Sequence, residues 1–505
     1  MKTIYLLVFF FLFSTLLKAQ DAGFDKKIAL KQHSVTTHRI NFKEFKLNPD
    51  SNTTSEPVKP LYKDTLTHNM YGDWLYDDPQ YNPKSPWWKP AAGVVVGNFV
   101  TAAFNRYVLN SGFCNIGWQS IKNNWNDGWE WDRDRFGVNF IQHPYSGALS
   151  FNHGRVEGYN FYESVPFAFG GSLMWEQTME NTRPSFNDLI NTTINGSFLG
   201  EIMYRLSSDV LDDRRSGGKR VFREILAGLL DPTRFVNRFE SGNFNRVTMK
   251  EIYQKEPLNI SVYAGIKNVN NGTKFWNGAN SAIFNFNLIY GNPFEDRNRK
   301  PFDFFRIRGD ITLGAGRKVV DNLMGYGIIY GKNIKHKNAD MLFGIFQSDD
   351  YWDSKLFELG ALGFGGGILH RLQVSKTSDL VSQIHLRLVP LAGSSSEHVY
   401  QEERDYNYSG GLEAMLETTF NLGGWGNITA AYYIYGLHTY VGTAGNTIIG
   451  IFRPRIGVNI TNSLIVGFEF LQYGKDSFLR DYPDIHTRNN EERIYITLES
   501  GYFRF

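Results

Sequence analysis

The sequence predicts a mainly β protein: an antiparallel outer-membrane β-barrel of about 12 strands, preceded by a helix-rich segment that is periplasmic or plugs the lumen. Three observations carry this. The C-terminal half is a succession of short runs alternating apolar and polar residues, separated by turn residues. The chain opens on an export signal, and it closes on Gly-Tyr-Phe-Arg-Phe with an aromatic, Phe505, at the end.

Residues 1–19 form the signal: Met1-Lys2 is a positive start, Ile4 to Leu17 is apolar apart from Ser14 and Thr15, and Leu17-Lys18-Ala19 offers a cleavage site. The run falls short of the roughly 17–25 residues a membrane helix needs. No Cys follows it, so a lipoprotein anchor is not expected, and the next longest apolar stretch, Ala91 to Val96, is shorter still. Membrane insertion would therefore fall to strands.

Composition agrees: aromatic residues reach 15%, and 49 Gly serve tight turns. A net charge of +2 leaves no footprint for nucleic acid. Cys114 is the single cysteine, so no internal disulfide can form and the thiol reads as packing. No cofactor is expected.

Residues 20–75 are polar and turn-rich, a periplasmic leader or linker. Between residues 76 and 245 the period becomes helical. Pro90-Ala91-Ala92 opens one helix with Val94, Phe99 and Ala103 near helical spacing, between Trp87-Trp88 and Arg106. Pro184-Ser185-Phe186-Asn187-Asp188 opens another, with Thr182 as a possible cap and Asp188 favouring the helix dipole. Gly196 and Gly200 lie one turn apart on it, where another backbone can approach closely. A third helix, 220–230, should stop at Asp231-Pro232.

From residue 257 to 505 the period is two. Strands are expected at 258–267, 281–290, 304–314, 323–331, 341–347, 356–369, 380–390, 410–420, 427–438, 448–460, 464–473 and 492–505. An even count returns both ends to the periplasm. In the seventh, Ile384, Leu386 and Leu388 alternate with Gln383, His385 and Arg387; in the third, Phe305, Ile307, Ile311 and Leu313 alternate with Arg306, Arg308 and Asp310. A charge on the lipid face costs about 2–4 kcal/mol, so the polar sets belong inside. The same parity puts Glu413, Glu417, Arg453, Arg455, Glu469, Arg493 and Glu499 in the lumen. Opposite charges across so narrow a lumen should pair and brace the wall, a reading preferred to a selective pore. In the last strand Ile494, Ile496 and Leu498 face lipid and Tyr502 joins a girdle; Phe505 falls on the other parity, yet as a terminal aromatic it suits barrel-assembly machinery.

Chemistry, if any, belongs to the middle segment. His143-Pro144-Tyr145-x-Gly147, then His153, Arg155 and Glu157, the Trp175-Glu176 pair, Pro184-Ser185-x-x-Asp188 and Gly196-x-x-x-Gly200-Glu201 stand in order there. The elements at His143, Trp175, Pro184 and Gly196 together resemble an uncharacterised family of Gram-negative outer-membrane proteins defined as a domain of unknown function, over about residues 85–245. The resemblance implies an envelope location and no mechanism.

From the residues themselves, His143 as base, Ser185 or Ser146 as nucleophile and Glu176 to orient the imidazole would suit ester hydrolysis in membrane lipids. No Gly-x-Ser-x-Gly elbow supports it, and Ser185 also reads as a first-turn helix residue and His143 as a turn residue before proline. His143, His153 and Glu157 could be taken for metal ligands, but the spacing matches no closed site. His153 and Glu157 would share a helix face as a solvated ion pair. Trp125, Trp129 and Trp131 invite a sugar site, although packing at a barrel mouth is the commoner fate. The preferred reading is a barrel with an envelope structural or restricted-passage role, its partners outer-membrane lipids; the alternative is a lipid hydrolase.

Overall fold

The computed structural model describes residues 77, 80–270, 274–313, 319–354, 357–399 and 404–503. The expected signal, the leader and Phe505 lie outside them.

Twelve strands follow one another: β1 (Leu258–Asn270), β2 (Ala279–Tyr290), β3 (Phe305–Leu313), β4 (Val320–Lys335), β5 (Ala339–Asp353) and β6 (Glu358–Gln373), then β7 (Asp379–Ser395), β8 (Tyr406–Asn421), β9 (Gly426–Val441), β10 (Gly445–Asn459), β11 (Leu464–Leu479) and β12 (Ile485–Phe503). Each pairs antiparallel with its sequence neighbours, and β1 closes on β12 through pairs such as Gly265 with Tyr495. Closure leaves no strand edge unpaired. Every expected strand is present, several longer at the rim away from the chain ends of the barrel. The rim holding Leu258 and Phe503 is here called the terminal rim, the other the far rim.

Alternation sets the faces. On β7, Ile384, Leu386 and Leu388 are exposed while Gln383, His385 and Arg387 are buried. On β12, Ile494, Ile496 and Leu498 are exposed while Arg493 and Tyr495 are buried. The exposed apolar residues form a band that starts at the terminal rim. A register shift between Val389 and Ala392 of β7 carries Leu391 and Gly393 to the outer face beyond it.

The lumen is packed. Arg306 and Arg308 pair with Glu417 at 2.5 and 3.3 Å, and Arg387 pairs with Glu413. Arg453 and Arg493 converge on Glu469 at 2.5 and 3.1 Å, with Arg493 also 2.8 Å from Asp310. Lys267 pairs with Asp321. Trp352, Phe346, Tyr435 and Tyr473 fill the space between these ions. Beside them lies a cavity of about 410 Å³ lined by Asn259, Asn287, Gln383, Arg455, Glu499 and Tyr502 among others. Since Asn259 pairs with Tyr502 at the start of β1, it lies toward the terminal rim.

Among the described residues seven helices precede the barrel: α1 (Trp88–Tyr107), α2 (Trp118–Asn126), α3 (His143–Val156), α4 (Phe161–Thr178), α5 (Phe186–Val210), α6 (Gly217–Leu230) and α7 (Pro232–Glu240). A π-helical turn, Val138–Gln142, leads into α3. Thr182 does not cap α5: its hydroxyl donates to Glu180 at 3.1 Å, and Ser185 holds the N-cap position. Proline 232 stops α6 and starts α7, whose first turn is capped by the Asp231 carboxylate accepting from Arg234 N at 3.0 Å. Helices α2, α3 and α4 had no clear signal in the sequence.

These helices fill neither the lumen nor the terminal mouth, which corrects the plug expected as one of two placements. On β5, Phe346 belongs to the lumen core, so Gln347, Asp349 and Tyr351 point outward. These outward residues are the ones the helices touch. Gln347 Nε2 donates to Ile194 O at 2.9 Å, Asn195 Nδ2 donates to Asp349 at 2.9 Å, and Phe136 stacks on Tyr351 at 5.3 Å. On β4, Tyr326 is lumenal, and outward Gly325 and Gly327 face Phe198 and Phe302. Outward Gly360 and Gly393 receive the Phe140 ring. Small outward residues thus open a trough on the barrel wall in which α5 lies, from Tyr406 at the far rim to Tyr290 and Phe305 at the terminal rim.

Candidate functional site

Helices α3 and α5 pack backbone to backbone. A methyl group at Gly147 would strike the Thr192 carbonyl, and one at Gly196 would strike the Gly147 backbone; Gly200 lies against Ala148 and Phe151. Toward the terminal rim, Arg155 and Arg205 share the buried Glu201 carboxylate at 2.7 and 2.8 Å, and Arg155 lies 4.1 Å over the Tyr204 ring. Toward the far rim the same helix pair encloses a polar cluster. Pro144 opens α3, fixing φ where the helix needs no donor.

His143 stands at the centre of that cluster. Its Nε2 is 3.4 Å from Asp188 Oδ1, and its Nδ1 is 3.3 Å from Thr192 Oγ1. Glu176, on α4, accepts from the backbone of Ser185 at 2.8 Å, a use set by the turn before α5. The Ser185 hydroxyl donates to Asn187 Oδ1 at 2.8 Å. Asn187 Nδ2 in turn donates to Asp188 at 2.9 Å and to Asn139 Oδ1 at 3.1 Å. Asn139 Nδ2 reaches Asp132 at 3.0 Å and the hydroxyls of Tyr406 and Tyr408 at 2.6 and 2.9 Å, tying the cluster to the barrel wall. Tyr406 and Tyr408 begin β8, whereas its exposed Leu412 and Leu416 come later, so the cluster lies beyond the apolar band.

The sequence-proposed set of His143, Glu176 and Ser185 is therefore brought into one neighbourhood but not into a relay. His143 bonds neither Ser185 nor Glu176; its partners are Asp188 and Thr192. Ser146 sits half-buried on α3. Trp175 Nε1 donates to Glu180, and Pro184 O accepts from Glu130 N at 2.9 Å. Tyr145 continues the first turn of α3. The set of His143, His153 and Glu157 does not assemble: His153 packs on Gly93 of α1, while Glu157, past the end of α3, pairs with Lys89 at 2.9 Å. This also dissolves the expected solvated His153–Glu157 pair. Trp129 and Trp131 pack on Phe186 at 5.6 and 6.4 Å, and Trp131 lies 5.0 Å from Tyr408, while Trp125 is exposed.

Burial dominates the electrostatics. It pushes the Asp188 carboxyl well above its ordinary value, helped by the negative charge of Asp132. It pushes Glu176 well up too, helped by Glu180. His143 is held down by burial against the pull of Asp132. The arrangement thus favours neutral imidazole beside protonated carboxyls. Ligand atoms of His143, Glu176 and Asp188 lie within 4.8 Å of one another, a donor set that a divalent transition metal accepts once the carboxyls lose their protons. Asn139, Asn187 and Thr192 escaped the sequence reading; the spacing of Asn187, Asn191 and Asn195, four apart on one helix face, was the available signal. Tyr406 and Tyr408, far off in sequence, gave none.

A closed antiparallel barrel carrying a helix bundle on its wall is the class of protein that these observations define. Residues 128–233 match the model of a family described as Domain of unknown function (DUF3943), a stretch that runs from just before the π turn into the start of α7. No curated protein matches the chain. Solved structures similar to it include the outer membrane channel DcaP of Acinetobacter baumannii, at 8% identity over 48% of this chain and 96% of that one, with a TM-score of 0.22. The NanC porin aligns at 8% identity over 47% and 98% (TM-score 0.27), and the KdgM porin at 5% over 47% and 98% (TM-score 0.21).

Proposed function

We propose that the protein is an integral outer-membrane barrel with an envelope structural role, whose lumen restricts passage and is not an open pore. One observation carries this reading: the middle of the lumen is filled by Arg306, Arg308 and Glu417, by Arg387 and Glu413, and by Arg453, Arg493 and Glu469, with aromatic rings between them. Buried pairs of this kind hold their positions, because removing one partner strands a charge at about 3–5 kcal/mol. The outward apolar band supports a place in the outer membrane among its lipids. The alternative of a lipid hydrolase gains nothing from the geometry, since the Ser185 hydroxyl is committed to Asn187 and has no bond to His143.

Planar-bilayer recording tests the proposal. Purified barrel, its folding checked by the heat-dependent shift in gel mobility, should give no sustained open-channel conductance at low voltage, whereas Glu417→Ala with Arg308→Ala should conduct. Steady conductance from the unaltered protein would overturn the closed-lumen reading.

A further inference from the structure

The helix bundle is inside out. Its buried residues include Asn98 on α1, Ser150 and Asn152 on α3, Ser164, Ser172 and Gln177 on α4, and the row of Asn and Thr along α5. Between Lys89 and Arg106, its exposed residues on α1 are Ala92, Val95, Val96, Phe99 and Ala103, with Val96 60% and Phe99 58% exposed. On α4 they are Tyr162, Pro166, Phe169 and Gly170. A water-soluble bundle distributes these types the other way round. We infer that α1 and α4 lie in the membrane beside the barrel, with this face covered by the acyl chains of outer-membrane lipids.

Four further observations fix that occupant. The face is uncharged along its length: α1 carries Lys89 at one end and Arg106 at the other, with no charged residue between them, and α4 has none between Glu163 and Glu176. At about 1.5 Å per residue, the 20 residues of α1 run about 30 Å, comparable with the roughly 25 Å apolar band of such barrels. Large aromatics cluster at the two ends. Trp87 and Trp88 are exposed at the start of α1; Tyr107 is exposed at its end, where Arg106 donates to Ile116 O at 3.4 Å, and Trp118 and Trp125 are exposed on α2, a helix tied by Asn124 to the Glu176 and Glu180 carbonyls at and just past the end of α4. That is the girdle arrangement of a membrane interface. Finally, α5 lies on the outward face of β4 and β5, so the bundle continues the same surface on which Leu386 and Leu412 are exposed.

No helix among the described residues is long and apolar enough to cross a membrane by itself. None has to, because the polar half of each faces other helices or the wall. Asn98 Nδ2, for example, donates to Gly171 O at 2.8 Å, and Gly93, Gly154 and Gly171 sit at close helix contacts as small residues do between membrane helices. The pattern continues in α6, where Arg220 and Glu224 are buried and Val221, Phe222, Ile225 and Leu229 exposed.

The inference rests on the barrel lying in the outer membrane, and the test separates the two. Single cysteines at Val96→Cys, Phe99→Cys and Phe169→Cys in a Cys114→Ser background are spin-labelled in proteoliposomes, and their access to oxygen and to a water-soluble nickel chelate is compared. Leu386→Cys on the barrel wall and Asp481→Cys in the exposed turn between β11 and β12 serve as lipid and water references. The helix positions should lose nickel access to the extent of Leu386→Cys while gaining oxygen access. Nickel access matching Asp481→Cys, with Leu386→Cys still shielded, overturns the inference alone; nickel access at Leu386→Cys as well overturns the outer-membrane reading. A second measurement needs no substitution: a phospholipid bearing a diazirine in its acyl chain should label the 88–107 and 161–178 peptides of the unaltered protein, and labelling confined to strands would contradict the inference.

Discussion

Gly147 and Gly196 meet where α3 crosses α5, and no side chain fits between the two backbones. Gly147→Ala should therefore cost about 1–3 kcal/mol through overpacking, read as a lower thermal midpoint, while Gly170→Ala, with open space around it, should not. The glycine pair one turn apart was visible in the sequence, but its partner helix was not. Asp188 makes the second argument at this scale. Its folded pKa lies well above the unfolded value, so the protonated form contributes stability at low pH that is lost as pH rises from about 4 toward the folded pKa. His143, shifted down, acts in the opposite direction: its stability is present above about 6.5 and lost as pH falls through the folded pKa. Asp188→Asn keeps the shape without the charge. It should raise the thermal midpoint at pH 8 and flatten the decline between pH 5 and 8, and an unchanged slope would show that other groups govern it. His143, Ser185 and Glu176 stood out in the sequence by residue type and by the short motifs that hold them. That Asp188 and Thr192 take the imidazole depends on helix rotation, which no short motif encodes.

Elements differed in how far they could be read. Strands β1 to β12 were legible because one face of each is lumenal and charged while the other is apolar, so period two survives almost every turn. Their extensions beyond the band, such as 391–395 on β7 and 474–479 on β11, carry polar residues on both faces and were missed. Helices α3 and α4 were hidden for a related reason. Helix α3 has no exposed residue, burying Ser150 and Asn152 together with Phe151 and Val156, while α4 buries Ser164 and Ser172, exposes Tyr162 and Phe169 and is interrupted by Pro166, so a search for a polar outer face finds none. The prediction at this scale concerns β7: Leu386→Arg should destabilise the barrel by about 2–4 kcal/mol, measured by urea unfolding in micelles or vesicles. Thr377→Arg, at an exposed position in the turn before the strand, should be close to neutral.

The whole molecule joins two bodies through a trough of small and polar residues on the outer wall, Gly325, Gly327, Gly360 and Gly393 beside Gln347 and Asp349. Chain order placed the helices before the barrel and made a plug the natural expectation; only the inward or outward direction of residues on β4 to β8 decides otherwise. The lumen, packed with its own ion pairs, has no room for a bundle, so the two findings support each other. The most direct test of this arrangement is a thiol cross-link in native membranes, in a Cys114→Ser background. Asn195→Cys with Asp349→Cys, positions whose native side chains hydrogen-bond at 2.9 Å, should be joined by a short bis-thiosulfonate linker and give a faster-migrating band. Asn195→Cys with Ser348→Cys, whose strand position points into the lumen, should not be joined. Linkage of the Ser348 pair in place of the Asp349 pair would put the bundle inside the barrel and contradict the account.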